Sequence, residues 1–115
     1  MKFTRSLHPN REFKKSYAKA QRRSGRYLTL YVRKGKRDSN RLGLTVTPKV
    51  GCAVVRNRVR RRLKEAYRLH EGRFKTGLVL VIVARHESAD ASYDALLSDL
   101  LSVAERMGIL EQETK

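Results

Sequence analysis

At 115 residues, with 27 Lys and Arg against 11 Asp and Glu, the chain carries a formal charge of +16 and is long enough to close one hydrophobic core but not two. A chain this basic implies a polyanion as counter-charge, nucleic acid ahead of membrane phospholipid. The single cysteine, Cys52, excludes an intrachain disulfide or a cysteine metal cluster and points to a reducing cytoplasm, and the longest apolar run, "LVLVIVA" from Leu78 to Ala84, is too short to cross a bilayer.

In chain order, "HPNREFKKSYAKA" places Phe13, Tyr17 and Ala20 at i, i+4, i+7 among Lys14, Lys15 and Lys19, which predicts a short amphipathic helix over about 10–20. The basic turn "QRRSGR" leads into "YLTLYVRK", a strand with Leu28, Leu30 and Val32 on one face and Tyr27, Thr29 and Tyr31 on the other. "GKRDSN" is a turn. "RLGLTVTPK" then alternates Leu42, Leu44 and Val46 against Gly43, Thr45 and Thr47, and Pro48, which lacks an N–H, ends the pairing.

A basic helix is expected over about 52–70, followed after Gly72 and "KTG" by a strand at 78–84 whose continuous apolar run implies burial on both faces. Ser92, with Asp94 two residues on, caps a helix carrying Leu96, Leu97, Leu100, Ala104 and Met107, and Gly108 is placed to stop it. The whole is one domain, 1–115, with ends expected to fray over about 1–8 and 110–115. Residues 87–115 hold 2 basic and 7 acidic side chains, so this segment is expected to face away from the polyanion.

The stretch "VVRNRVRRRLKEAYR" carries seven Lys or Arg in fifteen residues. At 100° per residue, Cys52, Val55, Val59, Leu63 and Ala66 share an arc of about 80°, the expected buried stripe, with Tyr67 just beyond it. Arg56, Arg60 and Lys64 run along one border, Arg58 and Arg62 along the other, and Arg61 and Arg68 point outward. Like charges at i, i+4 cost such a helix roughly 0.2–0.5 kcal/mol per pair. Phosphates between the rows would reverse that sign, because guanidinium forks bind phosphate oxygens bidentately and release condensed counterions. Asn57, flanked by two arginines, suits a hydrogen bond to a base edge or ribose and equally one to a neighbouring backbone group.

"TPKVGCAVVRNRVRRRLKEAYR" closely resembles the signature of the protein subunit of bacterial ribonuclease P, Lys-x-Gly-x-Ala-Val-x-Arg-Asn-x-x-Lys-Arg. Lys49, Gly51, Ala53, Val54, Arg56, Asn57 and Arg61 match it, and Arg60 replaces the usual lysine. Cys52 stands where Asn or another small polar residue is expected, and Pro48 replaces a basic residue. The likeness covers most of the chain.

The resemblance implies an α+β domain of αβββαβα order, with a mixed four-stranded sheet, packed helices and a left-handed βαβ crossover (ribosomal protein S5 domain 2-like); the fourth strand falls near Arg22 to Arg26. It also implies that the catalyst is a partner RNA, ribonuclease P RNA, which uses Mg²⁺ to remove the 5′ leader of precursor tRNA. The chain itself then binds no metal or cofactor, no small-molecule substrate and no membrane, and has no catalytic residue. Carried over, Lys49, Arg56, Asn57, Arg58, Arg60, Arg61, Lys64 and Arg68 are the expected contacts to the catalytic RNA. Phe13, Tyr17, Tyr31 and Thr45, with Thr29 on the same polar sheet face, are the expected cleft for the single-stranded leader, where aromatics stack on unpaired bases. The bland alternative for Phe13 and Tyr17 is helix-to-sheet packing.

Three other readings compete. A small ribosomal protein or general RNA chaperone fits the same size and charge. A protein-only nuclease would need clustered carboxylates or a paired base, whereas Glu12, Asp38, Glu65 and Glu71 are scattered and His8, His70 and His86 show no metal spacing. A membrane-surface helix would show a bulkier apolar face than this stripe of small and β-branched residues.

Overall fold

The computed structural model describes residues 2–6 and 20–111. Five strands, β1 (Thr4–Ser6), β2 (Gln21–Ser24), β3 (Leu28–Lys34), β4 (Asn40–Thr45) and β5 (Leu78–Ala84), and two helices, α1 (Ala53–Leu69) and α2 (Tyr93–Arg106), form one α+β unit. Short 3-10 turns at Glu71–Arg73 and His86–Asp90 lead out of α1 and into α2.

The sheet is mixed, in the order β1-β4-β5-β3-β2. β4 and β5 are parallel neighbours joined through α1, whereas β3 runs antiparallel to both β5 and β2. β5 is central because its sequence tolerates burial on both sides: the successive residues Val81 and Ile82 are each fully buried, on opposite faces. The register Leu30↔Ile82, Val32↔Leu80 and Leu42↔Leu80 lines up one apolar face. Val59, Leu63, Ala66 and Tyr67 of α1 and Leu96, Leu100, Val103 and Ala104 of α2 pack onto it in a single core. Full burial of each such aliphatic side chain contributes about 1.5–3 kcal/mol. α2 begins where expected, with the Ser92 hydroxyl accepting from Ala95 N at 3.1 Å, and the chain turns after it at Gly108, φ +73°.

The sheet has five strands rather than the four expected. The extra strand, β1, lies parallel outside β4 in a stretch expected to fray. "TRS" is too short and too polar to show alternation; its order comes from distant partners. Glu71, itself buried, accepts the main-chain N–H of Lys2 (2.6 Å) and of Phe3 (3.2 Å), and the Thr4 hydroxyl meets Tyr67 Oη at 2.7 Å. Buried Asn40 completes the network, donating from Nδ2 to Tyr67 Oη and to Lys75 O and accepting Leu78 N–H. At the other end Leu110 bridges to Phe74, and Glu111 N donates to Arg73 O at 2.7 Å.

The strand expected near Arg22 to Arg26 is β2, and the described elements from β2 onward follow the expected βββαβα order. The helix expected over 10–20 lies outside the described residues. The tip between β2 and β3 is held from α2: Asp99 accepts the N–H groups of Arg26 (3.0 Å), Tyr27 (2.9 Å) and Leu28 (3.2 Å). Gly25 sits so close that any Cβ there would overlap this carboxylate.

Candidate nucleic-acid interface

α1 leaves the sheet at the ends of β4 and β5 and returns along its length. The helix starts at Ala53, one residue later than expected, so Cys52 is an exposed N-cap in extended conformation instead of the first member of the buried stripe. Its side chain makes no capping hydrogen bond, and there is no acid in the first turn. The main-chain N–H groups of Val55 and Val54 hold the Cys52 thiol pKa below its usual value. The stripe itself is Val59, Leu63, Ala66 and Tyr67, all buried, with Val55 half-buried.

The structure divides the basic residues of α1 into two groups. Arg58 Nη2 donates to Ala89 O at 3.1 Å and Arg62 Nη1 to Ala91 O at 2.6 Å, so this border of the helix is tied to the turn that enters α2. Arg58, expected among the RNA contacts, is half-buried with a structural partner, one a carbonyl oxygen that no side-chain pattern reveals. Across the helix Asn57, Arg60, Arg61, Lys64 and Arg68 are exposed. Arg60 Nη1 donates to Asn57 Oδ1 at 3.1 Å, which gives Asn57 a neighbour on its own helix. Arg68 makes a bidentate pair with Glu65, both bonds 2.8 Å, which lowers the Glu65 pKa. Arg56 is half-buried with its Nε enclosed and unpartnered among the described residues.

The face of the sheet opposite the helices carries the second expected group. Register places Thr29, Val83 and Thr45 in one row across β3, β5 and β4, and Tyr31, Val81 and Gly43 in the next. Tyr31 packs on Val79 and Val81, and Thr29 Oγ1 is 2.9 Å from Ser24 Oγ. Arg22 on β2 pairs in register with Tyr31, and Arg5 on β1 with Arg41, so both borders of this face are basic. Thr29, Tyr31 and Thr45 are thus brought together; Phe13 and Tyr17 lie outside the described residues.

Where β4 and β5 end, a cavity of ≈ 390 Å³ is lined by Thr47, Lys49, Val83, Ala84, Arg85 and His86. It joins this sheet face to the chain entering α1 and contains the expected Lys49. Arg85 follows directly on the apolar strand and belongs to no motif, and His86 enters the sequence reading only as one of three histidines without metal spacing. Both contact Glu87, at 3.3 and 2.9 Å. Among the described residues no three His, Cys, Asp or Glu side chains come together to hold a metal ion, and no helix is long and apolar enough to cross a membrane.

The family model described as Ribonuclease P matches residues 1–108. The ribonuclease P protein component of Clostridium botulinum is 40% identical over 104 residues, which cover 90% of this chain and 94% of that one. The Alkaliphilus oremlandii protein component is 36% identical over 110 residues, 96% of each chain. Among solved structures, a Staphylococcus aureus RNase P protein mutant superposes with a TM-score of 0.83 at 25% identity, covering 90% of this chain and 88% of that one. The Thermotoga maritima RNase P protein superposes at 0.82 with 24% identity, covering 89% and 96%.

Proposed function

Because the chain belongs to the ribonuclease P protein family, we propose that it is the cytoplasmic, non-catalytic protein subunit of a ribonucleoprotein whose RNA removes the 5′ leader of precursor tRNA. The observation that carries this reading is the division of labour on α1: a buried apolar stripe and two backbone-tethered arginines fix the helix, while Asn57, Arg60, Arg61, Lys64 and Arg68 remain presented to solvent. A rigid array of cations binds phosphates with little ordering cost. In this reading Lys49, Arg56, Asn57, Arg60, Arg61, Lys64 and Arg68 meet the catalytic RNA, and the sheet face with Thr29, Tyr31 and Thr45, together with Phe13 and Tyr17, receives the leader.

The contribution to the reaction is electrostatic and positional. The protein screens repulsion between two RNAs and holds the leader, so that affinity rises for precursor over mature tRNA and for the Mg²⁺ used by the RNA. Two carboxylates on or beside α1 are already engaged, Glu65 with Arg68 and Glu71 with main-chain donors, which supports a non-catalytic role for the motif helix.

The test is cleavage of a precursor tRNA by a bacterial ribonuclease P RNA at low Mg²⁺, with and without the protein, beside the protein alone. Stimulation only when both are present is expected, with a gain in binding that disappears when the leader is removed. Tight RNA binding without stimulation would favour a ribosomal or chaperone role, and cleavage by the protein alone would overturn the mechanism.

A further inference from the structure

The end of the sheet farthest from the start of α1 carries a second basic cluster that the interface described above leaves unused. Lys34 at the end of β3, Lys36 and Arg37 in the loop after it, and Arg73 and Lys75 between α1 and β5 are all exposed. The side chains of these five form no ion pair or hydrogen bond among the described residues; the two acids nearby are Asp38 and Glu71, and Glu71 is buried and turned to the N–H groups of Lys2 and Phe3.

The loops are not slack. Gly35 N donates to Gly77 O at 2.9 Å and Gly77 N to Ser39 O at 3.2 Å, stitching one loop to the other. Asn40 holds Lys75 O at 2.9 Å, Lys75 N donates to Ile109 O at 2.8 Å, and Arg73 O accepts Glu111 N. Gly77 has φ +80°, and a Cβ there would lie 3.0 Å from Arg37 O, so the close approach of the two loops depends on glycine. Flexible like charges spread apart in water; these five are mounted on backbone that is fixed. Such a platform is self-repulsive in the free protein and becomes favourable when a polyanion neutralises it.

We propose that Lys34, Lys36, Arg37, Arg73 and Lys75 form a second RNA-phosphate surface, so that the protein braces two RNA segments at once, one along α1 and one at the far end of the sheet. The two ends are separated by the length of β5, roughly 20 Å for seven residues, more than one phosphate-to-phosphate step. The proposal rests on the reading of the chain as a ribonuclease P subunit and adds to it a contact outside the motif helix.

The test compares the salt dependence of binding to ribonuclease P RNA for the parent protein, Lys36→Ala/Arg37→Ala/Lys75→Ala, Arg61→Ala and their combination. The triple variant is expected to flatten the slope of log K against log salt by about 2 units, additively with Arg61→Ala, while the preference for precursor over mature tRNA stays within about twofold of the parent. The swap Lys36→Arg/Arg37→Lys/Lys75→Arg should keep the parent slope. As a positional check in a Cys52→Ser background, a photocrosslinker on Lys36→Cys should capture RNA nucleotides different from those captured from Arg61→Cys. A parent protein that stimulates cleavage, combined with an unchanged slope in the triple variant or crosslinking from position 36 no greater than from Asp94→Cys, would overturn the second surface and leave the functional reading standing. A parent protein without stimulation would overturn both.

Discussion

Two side chains show how much a residue's role depends on what it touches. Arg58 and Arg61 lie three positions apart in the same basic run, yet Arg58 reaches a carbonyl and Arg61 reaches solvent. Arg58→Ala should therefore lower stability by about 1 kcal/mol and leave the salt slope of RNA binding nearly unchanged, whereas Arg61→Ala should leave the melting temperature unchanged and flatten the slope by about 1 unit. Thermal melts and binding titrations on the same samples check both. Glu71 makes a complementary case. Burial pushes its pKa up, but the Thr4 hydroxyl and the N–H groups of Lys2 and Phe3 outweigh this, and the net direction is down. A carboxylate depressed in the folded state stabilises the fold above the ordinary carboxylate range, and that contribution is lost as pH falls through the folded value. The hydrogen-exchange protection factors at Thr4–Ser6, with the slower intrinsic exchange in acid divided out, should thus fall on acidification below about pH 4.5, and Glu71→Ala should give the low protection already at neutral pH. Protection unchanged by the substitution would show that β1 is held by β4 alone.

At the level of elements, what could be read from sequence is whatever repeats within a few residues. The stripe Val59–Leu63–Ala66 and the alternation Leu28–Leu30–Val32 reveal α1 and β3, and the continuous run Leu78–Ala84 reveals the central strand within its observed bounds. β1 was invisible because its partners, Tyr67 and Glu71, lie more than sixty residues away and leave no local pattern. The rows Thr29–Val83–Thr45 and Tyr31–Val81–Gly43 required strand register, which neither strand's composition supplies. Asp99 belongs to no pattern within α2, yet it secures the tip between β2 and β3. Gly25→Ala should displace that carboxylate and cost about 1 kcal/mol, since the freed N–H groups are exposed or only part-buried and turn to water. Asp99→Ala should cost a similar amount, and the double variant should cost much less than the sum of the two. Denaturant titration of the cycle measures this; full additivity would show that the two sites act independently.

For the molecule as a whole, a net charge of +16 makes salt act in opposite directions on folding and on binding. Screening relieves self-repulsion, so the melting temperature should rise between low and moderate salt, while RNA affinity falls over the same range. A melting temperature that fell with salt would mean that attractive pairs outweigh repulsion, which three ion pairs among the described residues make a poor expectation. The surplus is also routed. The N–H groups of Arg26, Tyr27 and Leu28 converge as in an anion-binding nest, with Arg22 and Arg23 nearby, an arrangement that would ordinarily attract phosphate. Asp99 already occupies it. A carboxylate delivered by the chain's own helix is a tethered competitor present at an effective concentration of millimolar or more, which a passing phosphate must displace. The tip between β2 and β3 is therefore closed to outside anions by a resident one, and Arg22 and Arg23, both exposed on β2, are left to offer this edge's positive charge.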